Sequence, residues 1–169
     1  MRRALDTLYA AAGYLAALFL AGTLTMVLTG IAGRFLNFHV PGTDSYAGYC
    51  MAASGFLALA HTLKRGEHIR VSLVLEHVGA GARRALERVA LAIAALLAVL
   101  FAFYSARLAF QSWQFNDVST GSDATPLWIP QLAMAAGTSI LALAFVDELA
   151  LELRGRRVRA TPKEAIHSE

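Results

Sequence analysis

Four long apolar runs, with nearly all the cationic side chains gathered at one end of each, constrain this chain more than any other feature. The runs cover about residues 8–32, 46–63, 89–110 and 127–146. At about 1.5 Å per residue, each reaches across most or all of a hydrocarbon core about 30 Å thick. A soluble four-helix bundle sets an apolar face against a charged one; these runs are apolar all round. The apolar content of 57% also exceeds the roughly 45–50% of soluble domains.

Charge placement sets the expected orientation. Of 15 Lys and Arg, Arg2 and Arg3 precede the first run, six lie from Lys64 to Arg88, and five lie from Arg154 onward. Arg34 and Arg107 alone fall elsewhere. Cations concentrate in cytoplasmic loops, so both termini are expected in the cytoplasm. The basic pI of 9.4 therefore points to anionic lipid headgroups rather than nucleic acid. Met1-Arg2-Arg3 followed by an apolar run resembles a signal peptide. That run is longer than the about 7–15 residues of a cleaved signal, so an uncleaved anchor is expected.

The expected fold is all-α: a four-transmembrane-helix integral membrane bundle over residues 1–153. Between spans two and three, Val71, Val74, Leu75 and Val78 repeat at helical spacing. That pattern predicts an amphipathic arm helix at the cytoplasmic interface, about residues 67–80, broken by Gly79 and Gly81. Residues 154–169 are expected to form a basic, disordered cytoplasmic tail.

Packing signals are plain in the spans. Small or hydroxylated residues recur every four positions in span one: Gly13, Ala17, Ala21, Thr25, Thr29 and Gly33. Span two carries Gly48, Ala52 and Gly55, and span three carries Ala90, Ala94, Ala98, Ala102 and Ala106. Such residues let helix backbones approach closely in lipid. Trp113 and Trp128 fall at the depth of an outer aromatic belt. Arg107 sits near the outer end of span three, where its side chain can snorkel or meet an anionic partner.

Signs of chemistry are sparse. A carrier handles its cargo with polar groups near the bilayer midplane. The span centres offer Thr25, Thr29, Ser54, Thr138 and Ser139, hydroxyls that ordinarily bond a carbonyl of their own helix. His61 is the only histidine in a span, whereas a haem between membrane helices takes two axial ligands. Cys50 is the single cysteine and reads as a small apolar filler. No phosphate loop or nucleophile elbow occurs. No catalytic residue, cofactor or metal is expected, and a small bundle without a site of its own reads as a subunit of something larger.

The stretch from Arg34 to Val71 resembles the small membrane subunit (DctQ-like) of tripartite ATP-independent periplasmic (TRAP) transporters. The resemblance is carried by Arg34-Phe35, by Val40-Pro41-Gly42-Thr43-Asp44, and by Gly55-Phe56-Leu57-Ala58-Leu59-Ala60-His61. It is carried above all by Arg65-Gly66-Glu67-His68-Ile69-Arg70-Val71. Thr125-Pro126-Leu127-Trp128-Ile129-Pro130, followed by Gly137, is similar to the family's approach to its fourth span. Asp44 and Ser45 stand where the family often has a Trp and a Glu.

The resemblance implies a scaffold subunit in a bacterial inner membrane. Its partners are a large membrane subunit that holds the substrate and sodium sites, and a periplasmic substrate-binding protein that captures an organic acid (a carboxylate). Candidate partner or lipid contacts are Arg34, Asp44, Arg65, His68 and Arg107, with the small positions Gly13, Ala17, Ala21, Gly48, Ala52 and Gly55. The competing expectation is a membrane-anchor subunit of a respiratory or other enzyme complex, which shares the same bulk physics.

Overall fold

The computed structural model of the chain describes residues 2–38, 40–65 and 80–154. These form four helices: α1 (Arg2–Phe35), α2 (Thr43–Arg65), α3 (Ala80–Gln114) and α4 (Trp128–Leu153). Each extends past the apolar run that predicts it, because helical backbone bonding carries on where the side chains turn polar. Gly81 lies inside the first turn of α3 and does not break a helix there. The predicted interfacial arm falls almost wholly on residues 66–79, and the tail on 155–169; both lie outside the described residues.

Helix ends follow local backbone chemistry. α1 and α3 are both stopped by an asparagine in the left-handed region, Asn37 at φ 54° and Asn116 at φ 53°. Asparagine tolerates that conformation better than other residues bearing a Cβ. Phe38 N–H then returns to the Gly33 carbonyl at 3.1 Å, and Asp117 N–H to the Ser112 carbonyl at 2.9 Å. α2 starts after Gly42 at φ 80°, whose carbonyl accepts the Tyr46 N–H at 2.9 Å. Pro126 precedes α4, and Pro130 stands in its first turn, where a missing N–H costs little.

The packing order is α1–α2–α4–α3, with extensive contact only between neighbours in that order. α1 and α2 run antiparallel: Gly30 meets Thr43, Gly22 meets Cys50, and Gly13 meets His61. α2 and α4 run parallel, with Gly137 against the Phe56 backbone and Lys64 against Asp147 and Glu148. The core is thin and built from small residues. Tyr9, Ala60 and Ala144 make one cluster, and Ala98, Leu141 and Ala142 another. The buried face of α3 runs Leu91, Ala95, Ala98, Ser105, Ala109 and Ser112, with Ala102 filling the remaining step of alternating three- and four-residue spacing. That spacing is the seam of a left-handed helix pair.

α1, α3 and α4 are each long and apolar enough to cross a membrane. α2, at 23 residues, is long enough but more polar. It opens on Thr43, Asp44 and Ser45 and closes on His61, Thr62, Lys64 and Arg65. Like α4, it has a neighbour on each of two sides, so part of its surface is covered by protein.

Candidate functional site

Four of the five midspan hydroxyls, all but Ser54, are spent locally. Thr25 donates to the Ala21 carbonyl at 2.9 Å and Thr29 to the Thr25 carbonyl at 2.8 Å. Thr138 donates to the Met134 carbonyl at 2.8 Å, and Ser139 to the Ala135 carbonyl at 2.7 Å. His61 Nδ1 lies 3.2 Å from the Tyr9 carbonyl oxygen, in a niche that Gly13 opens. It ties α2 to α1. Among the described residues no group of three or more His, Cys, Asp or Glu could hold a metal.

At the end of the fold where α1 and α3 begin, an ion cluster joins the two central helices. Lys64 Nζ lies 2.6 Å from Asp147 Oδ2 and 3.0 Å from Glu148 Oε1. It also stands over the Tyr9 ring, 5.2 Å from the centroid. Arg88 Nε approaches the buried Glu152 at 3.9 Å. Lys64 reads in sequence as a helix-end cation; its fold role is to bind α2 to α4 at their C-terminal ends.

The opposite end is capped by the α3–α4 loop. Val118 bridges to Pro126, Ser119 N–H donates to the Thr125 carbonyl at 2.8 Å, and Leu127 N–H to the Asp117 carbonyl at 2.9 Å. Asp123 fastens this loop to α2. Tyr49 donates its hydroxyl to Asp123 Oδ2 at 3.0 Å, and Ser119 donates to Oδ1 at 2.9 Å. Thr125 donates to the Tyr46 hydroxyl at 3.2 Å. Gly42 is required here twice over: its φ is positive, and a Cβ on it would lie 2.7 Å from Asp123 Cβ. Desolvation opposes ionisation of Asp123, but hydrogen bonds from Thr125, Ser119 and Tyr49 outweigh it and hold the carboxyl well below the usual carboxylate range.

Beside that cap lies a polar cleft of about 350 Å³, lined by Arg34, Asn37, Thr43, Asp44, Ser45 and Ser122 among others. It thus gathers two of the sequence candidates, Arg34 and Asp44, which are both exposed. Arg107 is exposed on α3 and lies outside this cleft. Arg65 ends α2, and His68 lies outside the described residues.

The small-residue candidates divide. Gly13 is used inside the chain, against His61. Ala17 and Ala21 are exposed on α1, and Gly48, Ala52 and Gly55 are exposed on α2. A Cβ at Gly48 or Gly55 would meet nothing within 4 Å. The strict four-residue stripe of α1 drifts about 40° per step around a helix of 3.6 residues per turn. From Gly13, which faces α2 at His61, to Gly33, which meets Phe38 instead, the stripe turns through about 200°, and Ala17 and Ala21 are exposed between them.

Asp123 and Lys64 were not singled out by sequence reasoning. The run Ser119-Thr120-Gly121-Ser122-Asp123, rich in residues that bond their own backbone, carried a signal for an ordered loop. The Lys64 partners are more than 80 residues away in sequence, and no local pattern announces them.

A family model described as "Tripartite ATP-independent periplasmic transporters, DctQ component" matches residues 23–155. No curated protein matches the chain.

Proposed function

The chain belongs to the DctQ family, the small membrane component of TRAP transporters, and on that footing we propose that it is a stationary scaffold that carries no cargo itself. It packs beside a large membrane subunit and supports sodium-coupled uptake of an organic acid delivered by a periplasmic binding protein. The observation that carries this reading is the contrast between inside and outside. Thr25, Thr29, Thr138 and Ser139 bond their own helices, while small-residue positions on α1 and α2 are turned away from the chain's own packing.

In lipid, apolar burial does not drive helices together, so exposed small positions are where another helix gains close contact. Ala17 and Ala21 on α1, and Gly48, Ala52 and Gly55 on α2, are therefore the proposed seats for the large subunit. Arg65, His68 and Arg107 are assigned to lipid phosphates or to the partner's edge. Arg34 and Asp44 belong to the extracytoplasmic end.

All four helices are proposed to span, with both termini cytoplasmic. Contacts from Gly30–Thr43 to Gly13–His61 keep α2 beside α1 over about 25 Å at about 1.5 Å per residue. A helix held to a spanning neighbour over that length crosses with it. The cation-rich end then faces the cytoplasm of a bacterial inner membrane. Cations at that end, and Trp113 and Trp128 at the other, resist displacement along the membrane normal.

Co-purification tests the reading. Tagged chain is expected to retain the large subunit through detergent extraction. Gly48→Leu and Gly55→Leu should abolish that retention while the isolated chain keeps its thermal stability. Full retention by both variants would remove the proposed interface, and a wild-type chain that never retains the large subunit would remove the scaffold role.

A further inference from the structure

Between the outer ends of α3 and α4 runs an apolar groove of about 380 Å³. Ala106, Ala109 and Ala135 supply no bulk there, and Phe110, Trp113 and Trp128 stand beside them as walls. The Phe110 and Trp113 rings brace each other, with 5.8 Å between centroids. α3 and α4 are both long and apolar enough to cross a membrane, so the groove opens into hydrocarbon. Its two indoles then sit at the depth where acyl chains join their headgroups. An acyl chain is the filler that depth provides, with ester oxygens within reach of the indole N–H groups.

Arg107 adds a charge to that outline. It is exposed on α3 and makes no ion pair among the described residues. It precedes Trp113 by six residues, which places it about 9 Å deeper in the membrane at about 1.5 Å per residue. Side chains lean toward the N-terminus of their helix, which for α3 is the far side of the membrane. The guanidinium must therefore fold back to reach water, and an anion that comes down to meet it relieves that need. Arg107 and Phe110 are three residues apart and so neighbours on the helix surface, which puts the charge beside the groove.

A partner's helix fits this face poorly. The side chains around Arg107 are bulky and exposed: Phe103, Tyr104, Leu108 and Phe110. Close helix approach in lipid uses small residues instead, which this chain exposes on α1 and α2. Flexible acyl chains follow an uneven aromatic surface where a rigid helix does not.

We propose that the α3–α4 groove is a phospholipid site: one acyl chain lies between Trp113 and Trp128, and the phosphate of an anionic headgroup pairs with Arg107. The inference rests on the scaffold reading for the spans and for the leaflet, the outer one.

The chain has two tryptophans, and both line the groove, so its intrinsic fluorescence reports on this place alone. The full chain is reconstituted in phosphatidylcholine vesicles in which a minor share of the lipid is dibrominated, either as phosphatidylglycerol or as phosphatidylcholine. Quenching is expected to show phosphatidylglycerol associating about fivefold more strongly, the effect of one basic side chain on an anionic lipid. Arg107→Gln should bring the two lipids level, and Arg107→Lys should keep the preference. Ala106→Phe, which fills the groove from an exposed position, should lower quenching by both lipids. Equal quenching by the two lipids in wild type, or a preference that survives Arg107→Gln, overturns the proposal.

The intact complex with the large subunit separates a lipid from a partner's acidic side chain. Native mass spectrometry should find phosphatidylglycerol retained by the wild-type complex and depleted in Arg107→Gln, with assembly unchanged. Loss of the large subunit from Arg107→Gln, at normal chain yield, would assign Arg107 to that subunit and overturn the lipid site. A wild-type chain that never holds the large subunit would remove the scaffold reading, and the vesicle quenching then decides the lipid site by itself.

Discussion

Gly137→Ala probes the joint that holds the two hairpins together. A Cβ at Gly137 would stand 2.5 Å from the Phe56 carbonyl oxygen, 2.6 Å from its carbon and 2.9 Å from its Cβ. The first two are backbone atoms and cannot rotate aside. Ordinary contact begins near 3.4 Å, so α2 and α4 must part by about 0.9 Å. Over-packing of this kind costs about 1–3 kcal/mol, and for a chain of this size about 2–4 °C in Tm accompanies each kcal/mol.

The paired control is Gly55→Ala. Nothing lies within 4 Å of its added Cβ, and replacing a helical glycine by alanine gains up to about 1 kcal/mol. Thermal unfolding of the purified chain in one detergent should therefore show Gly137→Ala several degrees below wild type and Gly55→Ala level with it or above. Equal Tm values for the two variants would refute the close α2–α4 approach. Gly13→Ala is expected to fall between them, because the atoms it meets belong to the His61 ring, which can shift.

Other expectations concern the two ends of the fold. Lys64→Met leaves the half-buried Asp147 and Glu148 without their shared cation and should cost about 1–3 kcal/mol; a double-mutant cycle with Asp147→Asn should show coupling, and purely additive losses would refute the ion cluster. Asp123 carries a depressed pKa, so its contribution is present above the ordinary carboxylate range near about 4 and is lost only as pH falls through its lower folded value. Hydroxyl-radical footprinting of the 115–127 loop should thus be the same at pH 7 and at about pH 4.5 for wild type, and raised at both for Asp123→Asn; loosening of the wild-type loop at the higher of these acidities would contradict the bonding described. In a Cys50→Ala background, Ser122→Cys should react with an impermeant maleimide added outside spheroplasts, and labelling only after permeabilisation would invert the proposed orientation.

The apolar runs place all four helices to within a few residues at most ends, because hydrocarbon length and helical rise leave little freedom. The larger extensions, at the start of α3 and the end of α4, fall on polar residues such as Arg83 to Arg88 and Asp147 to Glu152, which a hydropathy reading assigns to loops. Which face of each helix is covered was much less legible. In α1 the four-residue stripe suggested one seam, whereas the residues buried near its start are Tyr9, Ala12 and Ala16. A seam between helices follows spacing near 3.5, and Gly and Ala are frequent enough in this chain to satisfy several periods at once. The cleft gathers Arg34 and Asp44, which sequence reasoning had selected, but its far wall comes from Ser122, set by long-range bonds from Tyr49 to Asp123. Pairings between distant residues leave no local pattern, and for the same reason Lys64 showed only half of its role.

The central claim is that this chain supports transport without carrying cargo. Proteoliposomes with the large subunit and the binding protein, prepared with and without this chain, test it most directly under an imposed sodium gradient. Uptake of the organic acid is expected only when the chain is present, and vesicles holding the chain alone should accumulate nothing. Solute accumulation by the chain alone, or full uptake in its absence, would contradict the account.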